Sequence, residues 1–186
     1  MRRTALRSVV LLVLMSPCLA SAQSAGGDLY KLLATTKTST MQKELDEAST
    51  EGYRIVMGSP TAGNEMALFL QRTAKPPDTY AYKLLATTRT GTMERELNEL
   101  AEGGFRLMPS TMIAKKQLVG GIEIVALLEK PPMATRQYAY KLLATSKTST
   151  LQKEASEAQA AGFIIVGMVS RGEHMVVMER DATLKK

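Results

Sequence analysis

The chain has 186 residues, with 24 Lys and Arg against 18 Asp and Glu and no tryptophan. One histidine and one cysteine exclude a disulfide frame and a zinc site of the usual His/Cys type. The net charge of +6 is mild and its signs are interleaved along the chain, so nucleic acid is not an expected partner.

Residues 1–22 read as a secretory signal peptide. Arg2, Arg3 and Arg7 precede an apolar run over 9–15, and Ala20-Ser21-Ala22 is a small-residue cleavage pattern. Cleavage near Ala22 places the mature chain in the periplasm or outside the cell. The apolar run is shorter than the ~20 residues of a membrane-crossing helix, and no other segment comes close, so no membrane span is expected. Cys18 follows Ser16-Pro17, and a proline there argues against lipid attachment. Removing the leader lowers the net charge by three and leaves no cysteine. Stability must then come from packing alone.

The stretch YKLLATTKTST at 30–40 returns as YKLLATTRTGT at 82–92 and as YKLLATSKTST at 140–150, which makes internal repetition the organising feature. After a 23–29 tail, the first copy covers 30–72, the second 82–130 and the third 140–180, with linkers at 73–81 and 131–139 and a tail at 181–186. Pro76-Pro77 and Pro131-Pro132 stiffen the linkers and break secondary structure there.

Each copy opens with Tyr-Lys-Leu-Leu-Ala-Thr, a β-favouring run that predicts a first strand. A helix follows. Ser39 with Gln42, Ser149 with Gln152, and Gly91 with Glu94 have the spacing of N-cap and capping-box pairs. Met41, Leu45 and Ala48, then Met93, Leu97, Leu100 and Ala101, then Leu151, Ala155 and Ala158 step by three and four along one helix face. Gly52, Gly104 and Gly162 each lie 22 residues past the opening tyrosine and predict the left-handed residue that ends a helix. Tyr53, Phe105 and Phe163 then start second strands at 53–57, 105–108 and 163–166. A turn leads to third strands at 66–71, 122–128 and 175–178. A helix between strands one and two makes them parallel, and a hairpin makes strand three antiparallel to strand two. The apolar runs in strand three suit a central place, so the expected order is 1-3-2. The fold class is α+β: three tandem β-α-β-β repeats, each a three-stranded antiparallel sheet with one helix on one face. A unit of this size is marginal without staples, so the units are expected to pack together.

The run Glu96-Leu97-Asn98-Glu99-Leu100-Ala101-Glu102-Gly103-Gly104-Phe105-Arg106-Leu107 resembles a small bacterial domain family to which no chemistry is assigned. That family has a Tyr-Lys-Val-like opening strand, a Leu-Asn-Glu-Leu helix, a Gly-Trp-Glu-Leu-Val turn into strand two and a closing Phe-Lys-Arg-like strand. The first copy is similar through Glu51-Gly52-Tyr53-Arg54-Ile55-Val56 and Leu70-Gln71-Arg72, and the third more distantly through Ala161-Gly162-Phe163-Ile164-Ile165-Val166 and Met178-Glu179-Arg180. The resemblance implies a fold and no activity.

Catalysis needs a nucleophile with a base, a carboxylate pair or a metal cluster. His174, beside Glu173, has no counterpart in the other copies and reads as a surface residue. The methionines read as core. No cofactor, metal or catalytic residue is expected. The candidate binding feature is the hydroxyl-rich corner before each helix: Thr36, Lys37 and Ser39; Thr88, Arg89 and Thr90; Ser146, Lys147 and Ser149. Free amides and one cation at the positive end of a helix can hold a phosphate, sulfate or carboxylate. The same corner also serves simply as strand exit, turn and cap. The first expectation is an exported non-catalytic protein that binds an unknown protein or envelope ligand. An anion-binding envelope module is the alternative, and an enzyme ranks last.

Overall fold

A computed structural model describes residues 28–61, 64–73, 79–117 and 120–183. The leader, its cleavage pattern, Cys18 and most of the first linker lie outside the described residues. Three antiparallel sheets of three or four strands, each with one helix, follow one another in chain order. The first unit is β1 (Tyr30–Thr35), α1 (Thr38–Thr50), β2 (Tyr53–Pro60) and β3 (Met66–Arg72). The second is β4 (Ala81–Thr87), α2 (Thr90–Glu102), β5 (Arg106–Leu107), a 3₁₀ turn (Pro109–Thr111), β6 (Ile113–Lys116) and β7 (Ile122–Lys130). The third is β8 (Tyr138–Thr145), α3 (Thr148–Ala160), β9 (Ile164–Ser170) and β10 (His174–Asp181).

The chain is α+β with three antiparallel sheets, ordered β1-β3-β2, β4-β7-β5 and β8-β10-β9, so the last strand of each unit is central. The middle sheet departs from three strands because its second strand is broken. Proline lacks the N–H that a ladder needs, and after Leu107 the chain leaves the sheet through the Pro109–Thr111 turn. It rejoins as β6, still paired with β7. During the detour Thr111 Oγ1 accepts the Leu127 N–H at 3.2 Å in place of a strand carbonyl.

The helices begin one residue before the expected caps. Lys37, Arg89 and Lys147 hold the cap positions in extended conformation and make no side-chain cap bond. Instead Thr35, Thr87 and Thr145 accept the backbone N–H of those three residues at 3.2, 3.1 and 3.1 Å. This local hydroxyl turn shifts Ser39, Gly91 and Ser149 into the first turn, and the expected capping boxes do not form. At the other ends, Gly52, Gly104 and Gly162 share φ +85°, the left-handed conformation expected of them.

The hydrophobic cores cross unit boundaries. Met41, Leu45 and Ala48 of α1 pack with Leu33, Ile55, Leu68 and Leu70 of the first sheet, and the same core takes in Tyr82, Ile113, Val125 and Leu127 from the second. In the second core, Met93, Leu97 and Ala101 of α2 join Ile124, Ala126 and Leu128, together with Tyr140, Leu142, Met175 and Val177 of the third sheet. Alternate residues of β7 therefore serve two cores, and this strand is apolar without interruption from Ile124 to Leu128. β3 is covered on one side only, since Phe69 is exposed. The third core is small: Leu143, Val176, Met178 and Ala158, with Leu151, Ala155 and Phe163 half-buried beside them.

Candidate functional site

Two junctions join the units, built from the same residue types at matching positions. At the first, the Tyr82 hydroxyl donates to Glu129 Oε2 at 3.0 Å and accepts the Ile55 N–H at 3.3 Å. Arg54 grips the same carboxylate in two-point fashion, at 2.9 and 2.7 Å, and lies over the Tyr80 ring. Paired, planar contacts of this kind are the strong form of charge-assisted bond. At the second junction, the Tyr140 hydroxyl meets Glu179 at 2.9 Å and the Leu107 N–H at 2.8 Å. Arg106 holds Glu179 at 2.8 Å and lies over Tyr138.

Both carboxylates are buried, with 8% of Glu129 and 4% of Glu179 exposed, so each needs all of its partners. The hydrogen bonds that Arg54 and Arg106 donate to Glu129 and Glu179 hold the two guanidinium charges even more firmly than usual. Burial, and after it the Glu129 charge, pushes the Tyr82 phenol far above its ordinary value. Burial does the same at Tyr140, where Glu179 adds to it. Both tyrosines are therefore protonated donors at any physiological pH.

The first two helices, α1 and α2, also close the open edge of the following sheet. The Gln42 amide donates to the Tyr82 carbonyl at 3.0 Å and accepts the Leu84 N–H at 2.8 Å. On α2, Asn98 donates to the Tyr140 carbonyl at 3.0 Å and accepts the Tyr140 N–H at 2.9 Å, while Glu94, at the Gln42 position, accepts the Leu142 N–H at 2.8 Å. Gln42 and Glu94, read as capping-box partners, thus cap a strand edge instead. On α3, Gln152 bonds Ser156 of its own helix at 3.3 Å.

The corner residues form three separate corners, exposed apart from half-buried Thr90, but Ser39, Thr90 and Ser149 lie inside the first helical turn rather than before it. No contact brings one corner to another. What reaches the first two is a cation from the following unit. Buried Lys115 donates to the Thr36 carbonyl at 2.7 Å, and Arg171 donates to the Thr88 carbonyl and, at 2.7 Å, to Thr90 Oγ1. Glu123 and Glu173 accompany these cations at 3.6 and 2.9 Å. His174 opens β10 and is half-buried, with an Nδ1 that lacks a hydrogen-bond partner. Among the described residues, no group of three or more His, Cys, Asp or Glu is placed to hold a metal, and no helix is long and apolar enough to cross a membrane.

Among the described residues, the first and last sheets present the two halves of a junction without a partner. At the first end, Tyr30 occupies the position of Tyr82 and Tyr140, yet it is 57% exposed where they are 1% and 3% exposed. Leu32, Phe69 and Met57 lie exposed beside it. At the last end, Ile165 occupies the position of Ile55 and is 60% exposed against 4%. Sequence reasoning did not find the junction residues. Their signal was present: Tyr80-Ala81-Tyr82 recurs as Tyr138-Ala139-Tyr140, the arginine is shared by the first two copies (Arg54, Arg106) and the glutamate by the last two (Glu129, Glu179). Protein-family models, curated proteins and solved structures yield no match to this chain.

Proposed function

We propose that this is an exported, non-catalytic interaction protein made of three tandem copies of one β-α-β-β domain, of the kind its LNELAEGGFRL segment resembles. It binds its partner through the outer face of the first sheet. The observation that carries this reading is the exposure of Tyr30, Leu32, Met57 and Phe69 on a face that the second and third sheets bury. An end unit that meets only water needs a polar outer face. A contiguous apolar face instead marks an interaction surface. The anion-binding alternative has weaker support, because Lys115 and Arg171, the cations that reach the first two corners, are already engaged by backbone carbonyls and by Glu123 and Glu173.

A photo-crosslinking side chain at position 69, introduced in cells expressing the whole chain, tests the reading. A discrete crosslinked species is expected, and the same group at exposed Glu47 on α1 should give none. Equal labelling at both places would remove the proposal.

A further inference from the structure

We infer that the partner seated on this face is a second copy of the same chain, docked head to tail: α3 and β9 of one copy cover β1 and β3 of the next. This rests on the reading above and names its occupant. The molecule already makes this contact twice within itself, and its two free ends are the two halves of the same interface. The heterologous arrangement closes into a ring or continues as a filament.

Four details at the ends fit each other. First, β1 is an edge strand, and its Tyr30 carbonyl and Leu32 N–H correspond to the Tyr82 and Leu84 groups that Gln42 caps. Gln152 stands at the Gln42 position on α3 and, among the described residues, its side chain bonds its neighbour Ser156. Second, the apolar counterparts match. Ile165 offers what Ile55 and Leu107 bury, and Leu32 and Phe69 offer what Leu142 and Val177 bury.

Third, the charges are absent from both sides at once. Pairing registers put Gln71 where the other units have Glu129 and Glu179, and Ile164 where they have Arg54 and Arg106. Losing one partner would bury an unpaired charge, whereas losing both leaves a neutral contact that can be as stable as the ion pair. An exposed isoleucine in the place of an arginine has no use at a surface that meets only water.

Fourth, the bulk is redistributed. A β-carbon at Gly58 would meet Leu68 Cδ2 at 2.7 Å and the Thr111 backbone at 3.4 Å, and one at Gly167 would meet Met112 Sδ at 2.8 Å and Pro109 Cβ at 3.3 Å, so the segment around the 3₁₀ turn of the middle unit packs against both glycines. The end units have no such turn. Met168 stands in the Gly58 position and Met57 in the Gly167 position, both exposed. Between copies, where no turn intrudes, these flexible side chains fill the space that the turn takes up inside the molecule.

The test uses the full chain and two surface variants, Phe69→Glu at the first end and Ile165→Lys at the last, each followed by sedimentation velocity across a concentration series. Wild type is expected to associate beyond the dimer as concentration rises. Each variant alone should be monomeric, and an equimolar mixture should stop at a one-to-one dimer, because each supplies the end the other lacks. Leu32→Lys and Met168→Lys replace the first pair if either fails to give the wild-type circular dichroism spectrum. An Ile165→Lys protein that still dimerises by itself means sheet-to-sheet pairing about a two-fold axis and overturns the proposal. Wild type that stays monomeric throughout overturns it as well. In that case, crosslinking from position 69 to a different protein preserves the interaction reading, and no crosslink at all ends both.

Discussion

Glu129 shows how a single side chain commits the molecule to an arrangement. Its carboxylate is buried and held by Arg54 and Tyr82, so removing Arg54 strands a charge rather than merely losing a contact. A fully buried pair broken in this way costs about 3–5 kcal/mol. Arg54 keeps 44% of its side chain in water, which places Arg54→Ala nearer roughly 2–3 kcal/mol once solvent screening is allowed for. Arg54→Ile combined with Glu129→Gln copies the neutral pair found at the free ends, and it should recover most of that loss. Urea denaturation of the wild type, the single and the double variant measures both effects; a double variant less stable than Arg54→Ala would contradict the account. The tyrosines add a pH dependence. Tyr82 and Tyr140 are raised above 10.0 in the folded chain, so above that pH the unfolded chain releases protons that the folded chain retains. Stability is therefore full below pH 10 and falls as pH rises beyond it. Tyr82→Phe should flatten this alkaline decline and cost about 1–2 kcal/mol at neutral pH through the lost Ile55 and Glu129 bonds.

At the scale of elements, what the sequence shows plainly is what local geometry imposes. Steps of three and four from Met41 to Ala48 state a helix face, and a glycine after each helix states a left-handed residue, because neither depends on anything far along the chain. The sheet order also follows, from an apolar strand three and a helical crossover. The junctions do not, since Arg54 and Glu129 are 75 residues apart and Arg106 and Glu179 are 73 apart, with no period to connect them. Gln42 was misread because hydroxyl and amide three residues apart satisfy a capping box and an edge-capping helix equally well in sequence. The broken second strand was visible only as extra length before β7, since nothing local says that Thr111 will replace a ladder carbonyl. Gly58 gives this scale its test. A β-carbon there would stand 2.7 Å from Leu68 Cδ2 and 3.4 Å from the Thr111 backbone. Gly58→Met should therefore cost about 1–3 kcal/mol by overpacking. Met168→Gly, at the matching but uncovered position, should cost under about 1 kcal/mol. Thermal unfolding separates the two, and equal losses would mean the turn does not set the glycine.

At the scale of the whole molecule, the cores are spread unevenly, and this predicts where the chain opens first. α1 buries Met41, Leu45, Ala48 and Ser49, and α2 buries Met93, Leu97 and Ala101, each between two sheets; α3 buries Ala158 alone, against one sheet. The position filled by Leu45 and Leu97 holds Ala155, and nothing among the described residues lies beyond it. A leucine side chain taken from water contributes about 1.5–3 kcal/mol, so a helix lacking that contribution opens locally roughly ten to a hundred times more often. Hydrogen exchange on dilute protein is therefore expected to show α3 amides exchanging at least about tenfold faster than those of α1 and α2. Head-to-tail contact supplies α3 with the second sheet it lacks. Raising the concentration should then slow exchange in α3 and along the free edge of β1 together, while α1 and α2 hold constant. Slowing at β1 without slowing at α3 would place the contact at one end only, and α3 amides as protected as those of α2 in the dilute sample would mean that one sheet is enough to hold a helix of this composition.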